Sequence, residues 1–245
     1  MIGRPAAYLP WGDGSGRRLR GWGGWLRLPP RAPFTLGYLL MAATLFLPFA
    51  GEVGGTYAVD TDWVRPFAYH IPDLSEDPIR LARTLLTAPY FNHDVVQFVY
   101  ISLLLLAFGV VFEVREGTKR TLLLFYAGLL SGALGAGLLL HLLYPAVTEA
   151  PLYANAWERT WSGASAGCFG LIGALAARAR QPWPVLLVVI GWDLHWPYLR
   201  VWLSGVESPA FDLVWWHLPH AFSSVFHLPA LAVGFGLGRW VVRAR

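Results

Sequence analysis

Charge is scarce in this chain. Only 14% of its 245 residues are Asp, Glu, Lys or Arg, against about 25% in an ordinary soluble domain. With 56% of residues hydrophobic, that deficit excludes the common soluble classes and points to a membrane protein. Cysteine is scarcer still. A single Cys168 excludes an internal disulfide and a cysteine-based zinc cluster. Its place in an apolar run marks it as a small buried packing residue. No pairing of histidines with carboxylates has zinc spacing, so neither a metal nor a cofactor is expected. No signal peptide is expected either, because no short apolar core with a small-residue cleavage site follows the N-terminal arginines. Repeat arrays and a second domain are likewise not expected. The formal net charge of +4 does not indicate a nucleic-acid partner. Its meaning lies in where the arginines sit.

Aromatic residues, by contrast, are plentiful. Thirteen Trp and ten Tyr suit a protein with two water–lipid interfaces, where amphipathic rings settle. Six apolar segments reach or approach the about 20 residues that a spanning helix needs. They cover 34–50, 95–112, 121–144, 161–177, 183–203 and 221–242. Pro33 and Gly51 bracket the first. Asp193, His195 and Pro197 interrupt the fifth, whose outer half is therefore expected to kink or unwind. The predicted fold is all-α and polytopic, with an Arg/Trp/Gly-rich tail over 1–33 and one six-helix membrane domain over 34–243. The tail reads either as lying on an anionic membrane surface or as a flexible extension. The longest outer loop, 52–92, is rich in acids and prolines and holds room for short helices around EDPIRLARTLL.

Charge sets the direction. With the N-terminus in the cytoplasm, the inner segments carry Arg4, Arg17, Arg18, Arg20, Arg27, Arg31, Arg115, Lys119, Arg120, Arg178, Arg180, Arg239, Arg243 and Arg245. The outer loops keep only Arg65, Arg80, Arg83, Arg159 and Arg200. That bias predicts a multi-pass protein with both termini cytoplasmic, in the cell's inner or plasma membrane.

Two polar residues then stand out. Ser165 lies near the start of the fourth segment, in WSGASAGCFGLIGALAA, and His227 lies in the sixth, in HLPALAVG. Both segments run from outside to inside in this topology. From the segment boundaries Ser165 sits about 6 Å down its helix and His227 about 9 Å down its own. Small residues recur at four-residue spacing, at Gly163 and Gly167 on one helix and at Ala230, Gly234 and Gly238 on the other. Such stripes let membrane helices pack backbone to backbone. Contact between them would carry the imidazole to the hydroxyl. A serine hydroxyl needs a base to take its proton, and neutral imidazole is the usual base near neutral pH. Alone, a serine in a glycine-rich helix is often only small, and a membrane histidine often only satisfies a local hydrogen bond. Together at matched depth they read as a Ser–His dyad.

At these residues the chain resembles the rhomboid family of intramembrane serine proteases. GASAGCFGLIG is similar to the family's GxSG motif, with Phe169 four residues and Gly173 eight residues after the serine. HLPALAVG fits the HxxGxxxG frame through His227 and Gly234. Gly109, Glu113 and Gly117 fit the turn after the second helix. The resemblance runs from about 87 to 239. Departures accompany it: Ala166 and Ala230 stand where the family has glycines, each adding a methyl at a close helix approach. Counting back from Gly109 puts Gln97 and Ile101 where the family has its His and Asn oxyanion donors. Gln97 can still donate a hydrogen bond; Ile101 cannot. His93 and Ser102 are near but out of register.

The resemblance implies an intramembrane serine endopeptidase acting on single-span membrane proteins. Ser165 would be the nucleophile and His227 the base and then the acid. Phe169 would stack under the imidazole. Gln97 and the Ser165 backbone amide would receive the oxyanion, and substrate would enter past the fifth segment. A rhomboid-like protein that binds membrane helices without cutting them is the alternative. A transporter or channel has neither an inverted repeat nor a charged pathway to support it. Asp193 is expected to face a water cavity or to pair with His195, with orientation of His227 as the other possibility. His217 and His220 are rival bases if the sixth helix begins elsewhere. Trp192, Trp196 and Pro197 suit a mobile helix or interface anchoring, His141 reads as interfacial, and Glu113 as a loop cap or a partner of Arg115.

Overall fold

A computed structural model describes residues 31–53, 55–143, 160–179, 181–204 and 213–243. The tail over 1–30 lies outside the described residues, as do the side chains of His141, Trp196, Pro197, His217 and His220. Six main helices carry the fold among the described residues. They are α1 (Pro33–Phe46), α2 (Val95–Glu116), α3 (Thr118–Leu143), α4 (Ser165–Ala176), α5 (Pro182–Ser204) and α6 (Leu213–Arg243). Among the described residues two stretches, Val95–Glu116 and Thr118–Leu139, have the length and apolarity of a bilayer crossing.

The start of α1 shows how a buried carboxylate can organise an apolar bundle. Pro33 opens the helix, but its N-cap, Ala32, has no side-chain oxygen. Glu113 of α2 supplies one instead. Its carboxylate accepts from the amides of Phe34 (3.0 Å) and Thr35 (2.8 Å) and from the hydroxyls of Thr35 (2.8 Å) and Thr118 (2.7 Å). A helix start leaves such amides without intrahelical partners, and a carboxylate there also opposes the helix dipole. Glu113 therefore caps a helix, close to its expected role as a loop cap. Nearby, Glu116 pairs with Arg120 and Arg178, joining the end of α2 to the start of α3 and the exit of α4.

Between α1 and α2 the chain builds a small polar platform. Strands β1 (Ala50–Val53) and β2 (Thr56–Val59) form an antiparallel hairpin. The Val59 amide donates to the His93 carbonyl at 2.9 Å, tying the hairpin to the start of α2. The short helix expected in EDPIRLARTLL is present as Pro78–Thr87, capped by Asp77, which accepts from the Arg80 amide at 2.9 Å. Strand β3 (Tyr69–His70) pairs with β4 (Thr160–Trp161), so this platform reaches the residues just before Ser165. The Tyr69 hydroxyl donates to the Ala133 carbonyl of α3 at 3.1 Å. Burial pushes that phenol well above its ordinary range, so it stays protonated and remains a donor.

The core is a three-helix seam of α3, α4 and α6, in which glycines remove the side chains that would hold the backbones apart. A methyl built on Gly170 would lie 2.7 Å from the Leu124 carbonyl, and one on Gly128 would lie 2.9 Å from that of Ala166. A methyl on Gly234 would overlap the Gly170 carbonyl, and one on Gly238 would lie 2.7 Å from Ala174 Cα. The α4–α6 contact thus uses Gly170, Gly173 and Ala174, not the predicted Gly163 and Gly167. Gly167 faces the Phe125 ring of α3, and Gly163 precedes the helix.

Two predicted boundaries differ for physical reasons, and one predicted break is absent. Thr160 and Trp161 are strand, so α4 begins at Ser165 and not near 161. Helix α6 begins at Leu213 and not near 221, which puts His227 14 residues into it. Matched distances from helix starts therefore do not explain how the two residues meet; the seam does. Helix α5 runs unbroken through Asp193, His195 and Pro197, without the expected unwinding.

Candidate active site

The loop before α4 is fixed from both sides. The Ser162 carbonyl accepts from Gln97 Nε2 at 2.8 Å, and the Gly163 amide donates to the Ala88 carbonyl at 2.9 Å. Gly163 has φ of +100°, where an L-residue pays roughly 1–2 kcal/mol. There is no room for a side chain either. A methyl on Gly163 would lie 2.6 Å from Gln97 Nε2 and 2.9 Å from Ile101 Cδ1. Only glycine makes this turn, and the turn delivers Ser165 as the first residue of α4. At that position its backbone amide belongs to the group of orphan donors at a helix start, at the positive end of the helix dipole.

Ser165 Oγ lies 2.8 Å from His227 Nε2. On the far side of the ring, His227 Nδ1 lies 2.6 Å from Asp193 Oδ1. His227 is 4% exposed and Asp193 2%. A carboxylate only accepts, so Nδ1 carries the proton and donates it to Asp193. That leaves the Nε2 lone pair to accept from the serine hydroxyl. The Phe169 ring lies against the imidazole at 4.2 Å between centroids, with planes 8° apart. Phe169 sits one turn after Ser165 on α4, so one helix supplies both the hydroxyl and the surface against which the imidazole rests.

Of the partners expected for Asp193, the structure gives it His227 and not His195. The exposed His195 ring instead donates from Nδ1 to the Gly191 carbonyl at 2.8 Å, on its own helix. The signal was present as a carboxylate inside an apolar segment, which marks function by default. Its partner was hidden because it comes from another helix.

The other predicted residues fall around this centre. Gln97 accepts from the His93 amide through Oε1 (2.7 Å) while its Nε2 holds Ser162. It thereby braces the serine loop, and its amide nitrogen carries a second hydrogen. Ile101 is buried and fills space beside Gly163. The Ala166 methyl faces Gly132 of α3, where a Cβ would come within 2.8 Å of it. The methyl that departs from the family pattern is thus accommodated by a glycine on a third helix. Ala230, one turn after His227, is fully buried, and Gly234 brings α6 onto Gly170. Sequence reasoning missed the pairing of β3 with β4. It joins positions far apart in the chain and leaves no local periodicity.

A hydroxyl held against an imidazole nitrogen is the arrangement of an activated nucleophile. A family model for the Rhomboid domain matches residues 80–244, close to the span over which the motifs lie. No curated protein and no solved structure matches the chain. The family match takes in α2 through α6 with Ser165 and His227, more than half of the sequence. The chain is an integral membrane protein belonging to the rhomboid family.

Proposed function

We propose that the chain is an intramembrane serine endopeptidase that cuts single-span membrane proteins in or near their transmembrane segments. The 2.8 Å contact between Ser165 Oγ and His227 Nε2 carries this reading. Ser165 Oγ attacks the peptide carbonyl as His227 Nε2 takes its proton. The C–N bond then breaks, and the imidazolium returns that proton to the leaving amine. Water, deprotonated by the same nitrogen, attacks the acyl-enzyme and releases Ser165. The Ser165 backbone amide and the second Gln97 amide hydrogen receive the oxyanion. Each such donor is worth about 10²–10³ in rate.

The fuller architecture belongs to the same reading. All six helices form the membrane bundle, with both termini in the cytoplasm of a cell with this protein in its inner or plasma membrane. Glu116, Arg120 and Arg178 gather at one end of the bundle, and Ser165 starts α4 at the other. With the basic end inside, the site opens toward the outer face. Ile101 favours a second reading, because it stands where a donor is wanted. In that reading the protein binds membrane helices without cutting them, as a chaperone or quality-control factor.

A fluorophosphonate probe separates the two. It is expected to label the detergent-solubilised protein, and labelling is expected to disappear in Ser165→Ala and His227→Ala. Equal labelling of wild type and Ser165→Ala would remove the enzyme. Capture of a helical client without turnover would support the binder.

A further inference from the structure

The geometry points to Asp193 as a positioning residue that makes this site a Ser–His–Asp relay rather than a dyad, an inference that rests on the protease reading. Three observations carry it. The first is the contact itself: Asp193 Oδ1 and His227 Nδ1 are 2.6 Å apart on the ring edge opposite Ser165, in the range of a charge-assisted hydrogen bond. The second is burial. Asp193 is 2% exposed, and among the described residues its Oδ2 has no hydrogen-bond partner. A buried carboxylate is tolerated when a partner compensates its charge, and the imidazolium formed during turnover is such a partner. The third is orientation. The outward face of α5 is bare, with Leu187, Val188, Trp192 and Leu194 all exposed. Asp193, the one carboxylate of this helix, is buried instead.

The carboxylate does two things through His227 and touches no substrate. It accepts the Nδ1 proton, so Nε2 is the nitrogen left basic toward Ser165. It also stabilises the positive ring once Nε2 has taken the serine proton. Asp193→Asn undoes both while conserving shape. Its amide can donate to Nδ1, which moves the ring proton to Nε2, where it opposes the hydroxyl. In soluble serine proteases that change, or loss of the acid, lowers turnover by about 10⁴.

The experiment uses the full chain in detergent and a fluorophosphonate probe, separating inactivation rate at saturation, half-saturating concentration and labelled fraction. Asp193→Asn is expected to lower the saturating rate by about 10³–10⁴ with an unchanged half-saturating concentration. Asp193→Glu, which keeps the carboxylate, should recover part of it. In proton NMR the wild type should show a low-field Nδ1–H resonance that is absent in Asp193→Asn. A saturating rate within about two-fold of wild type, with only the labelled fraction reduced, would make Asp193 a packing residue and overturn the inference. If Asp193→Asn does not fold, absence of the low-field resonance in wild type overturns it instead. Labelling of wild type that Ser165→Ala does not abolish would bring down the protease reading and this inference together. Normal Ser165-dependent labelling with an indifferent Asp193→Asn brings down this inference alone.

Discussion

Gly132→Ala is the sharpest test of the seam that brings Ser165 to His227. The added methyl would lie 2.7 Å from the Phe226 carbonyl oxygen and 2.8 Å from Ala166 Cβ. Carbon atoms in good contact sit about 3.5–4.0 Å apart, so α3 must retreat from α4 and α6 by roughly 0.5–1 Å. Phe226 precedes His227 and Ala166 follows Ser165, so the strain falls on both partners of the 2.8 Å contact. Overpacking of this kind costs about 1–3 kcal/mol. In a protein of this size about 2–4 °C of melting temperature goes with each kcal/mol. The expected loss is therefore roughly 2–12 °C. A misplacement near 1 Å also costs about 10²-fold in rate, read as the fluorophosphonate labelling rate. Two controls fix the sign. Gly37, on α1, has nothing within 4 Å of a built Cβ, so Gly37→Ala should be neutral or stabilising by up to about 1 kcal/mol. Ala166→Gly removes one of the two clashes. The double variant with Gly132→Ala should recover about 0.5–1.5 kcal/mol beyond additivity. Unchanged melting and labelling in Gly132→Ala would refute the packing argument.

Other expectations follow from single sites. Gly163→Ala combines a positive φ with two clashes. It should lower the labelling rate by at least about 10²-fold, the cost of displacing a reacting group by roughly 1 Å; a normal rate would show that the turn does not set Ser165. Glu113→Ala removes four hydrogen bonds at one buried carboxylate. It should cost about 2–4 kcal/mol in thermal unfolding while the surviving folded protein labels at the wild-type rate. Ile101→Asn puts an amide where the family carries a donor, beside Gly163. It should raise the labelling rate, by up to about 10²–10³-fold if the new amide reaches the oxyanion; a decrease would mean that the apolar contact on Gly163 matters more than a second donor.

Much of the site was legible because its signals are local. Ser165 and Phe169 are one helical turn apart, so their shared face follows from spacing alone. His227 was legible as the imidazole placed one turn before a small-residue face. What stayed hidden depends on where helices begin and how they rotate. The phase of the glycine face on α4 is set at Ser165, and that start is set by pairing of Trp161 with Tyr69, far back in the chain. A start placed a few residues early puts Gly163 and Gly167 on the close face, where the structure has Gly170 and Gly173. Rotation of α5 was equally hidden. A helix that is apolar on its lipid face and its protein face has no periodicity to show which way Asp193 points.

The late start of α4 also leaves polar backbone in need of partners beside Ser165. Irregular backbone inside a membrane survives only where protein or a wet cavity satisfies its polar groups. Shortening α4 to Ser165–Ala176 leaves Ser162 and Gly163 outside the helical ladder. Gln97 takes the Ser162 carbonyl, and Ala88 takes the Gly163 amide. Those same bonds fix the turn that aims Ser165 at His227. Stability and geometry are therefore coupled at Gln97, and Gln97→Leu should reveal both. It would leave a part-buried carbonyl unpaired at a cost of up to about 1–3 kcal/mol, seen as a lower melting temperature. It would also loosen the serine loop and remove the proposed oxyanion donor, lowering the labelling rate by about 10²–10³. A variant that melts early but labels at the wild-type rate would separate the two roles and leave the Ser165 backbone amide as the oxyanion donor.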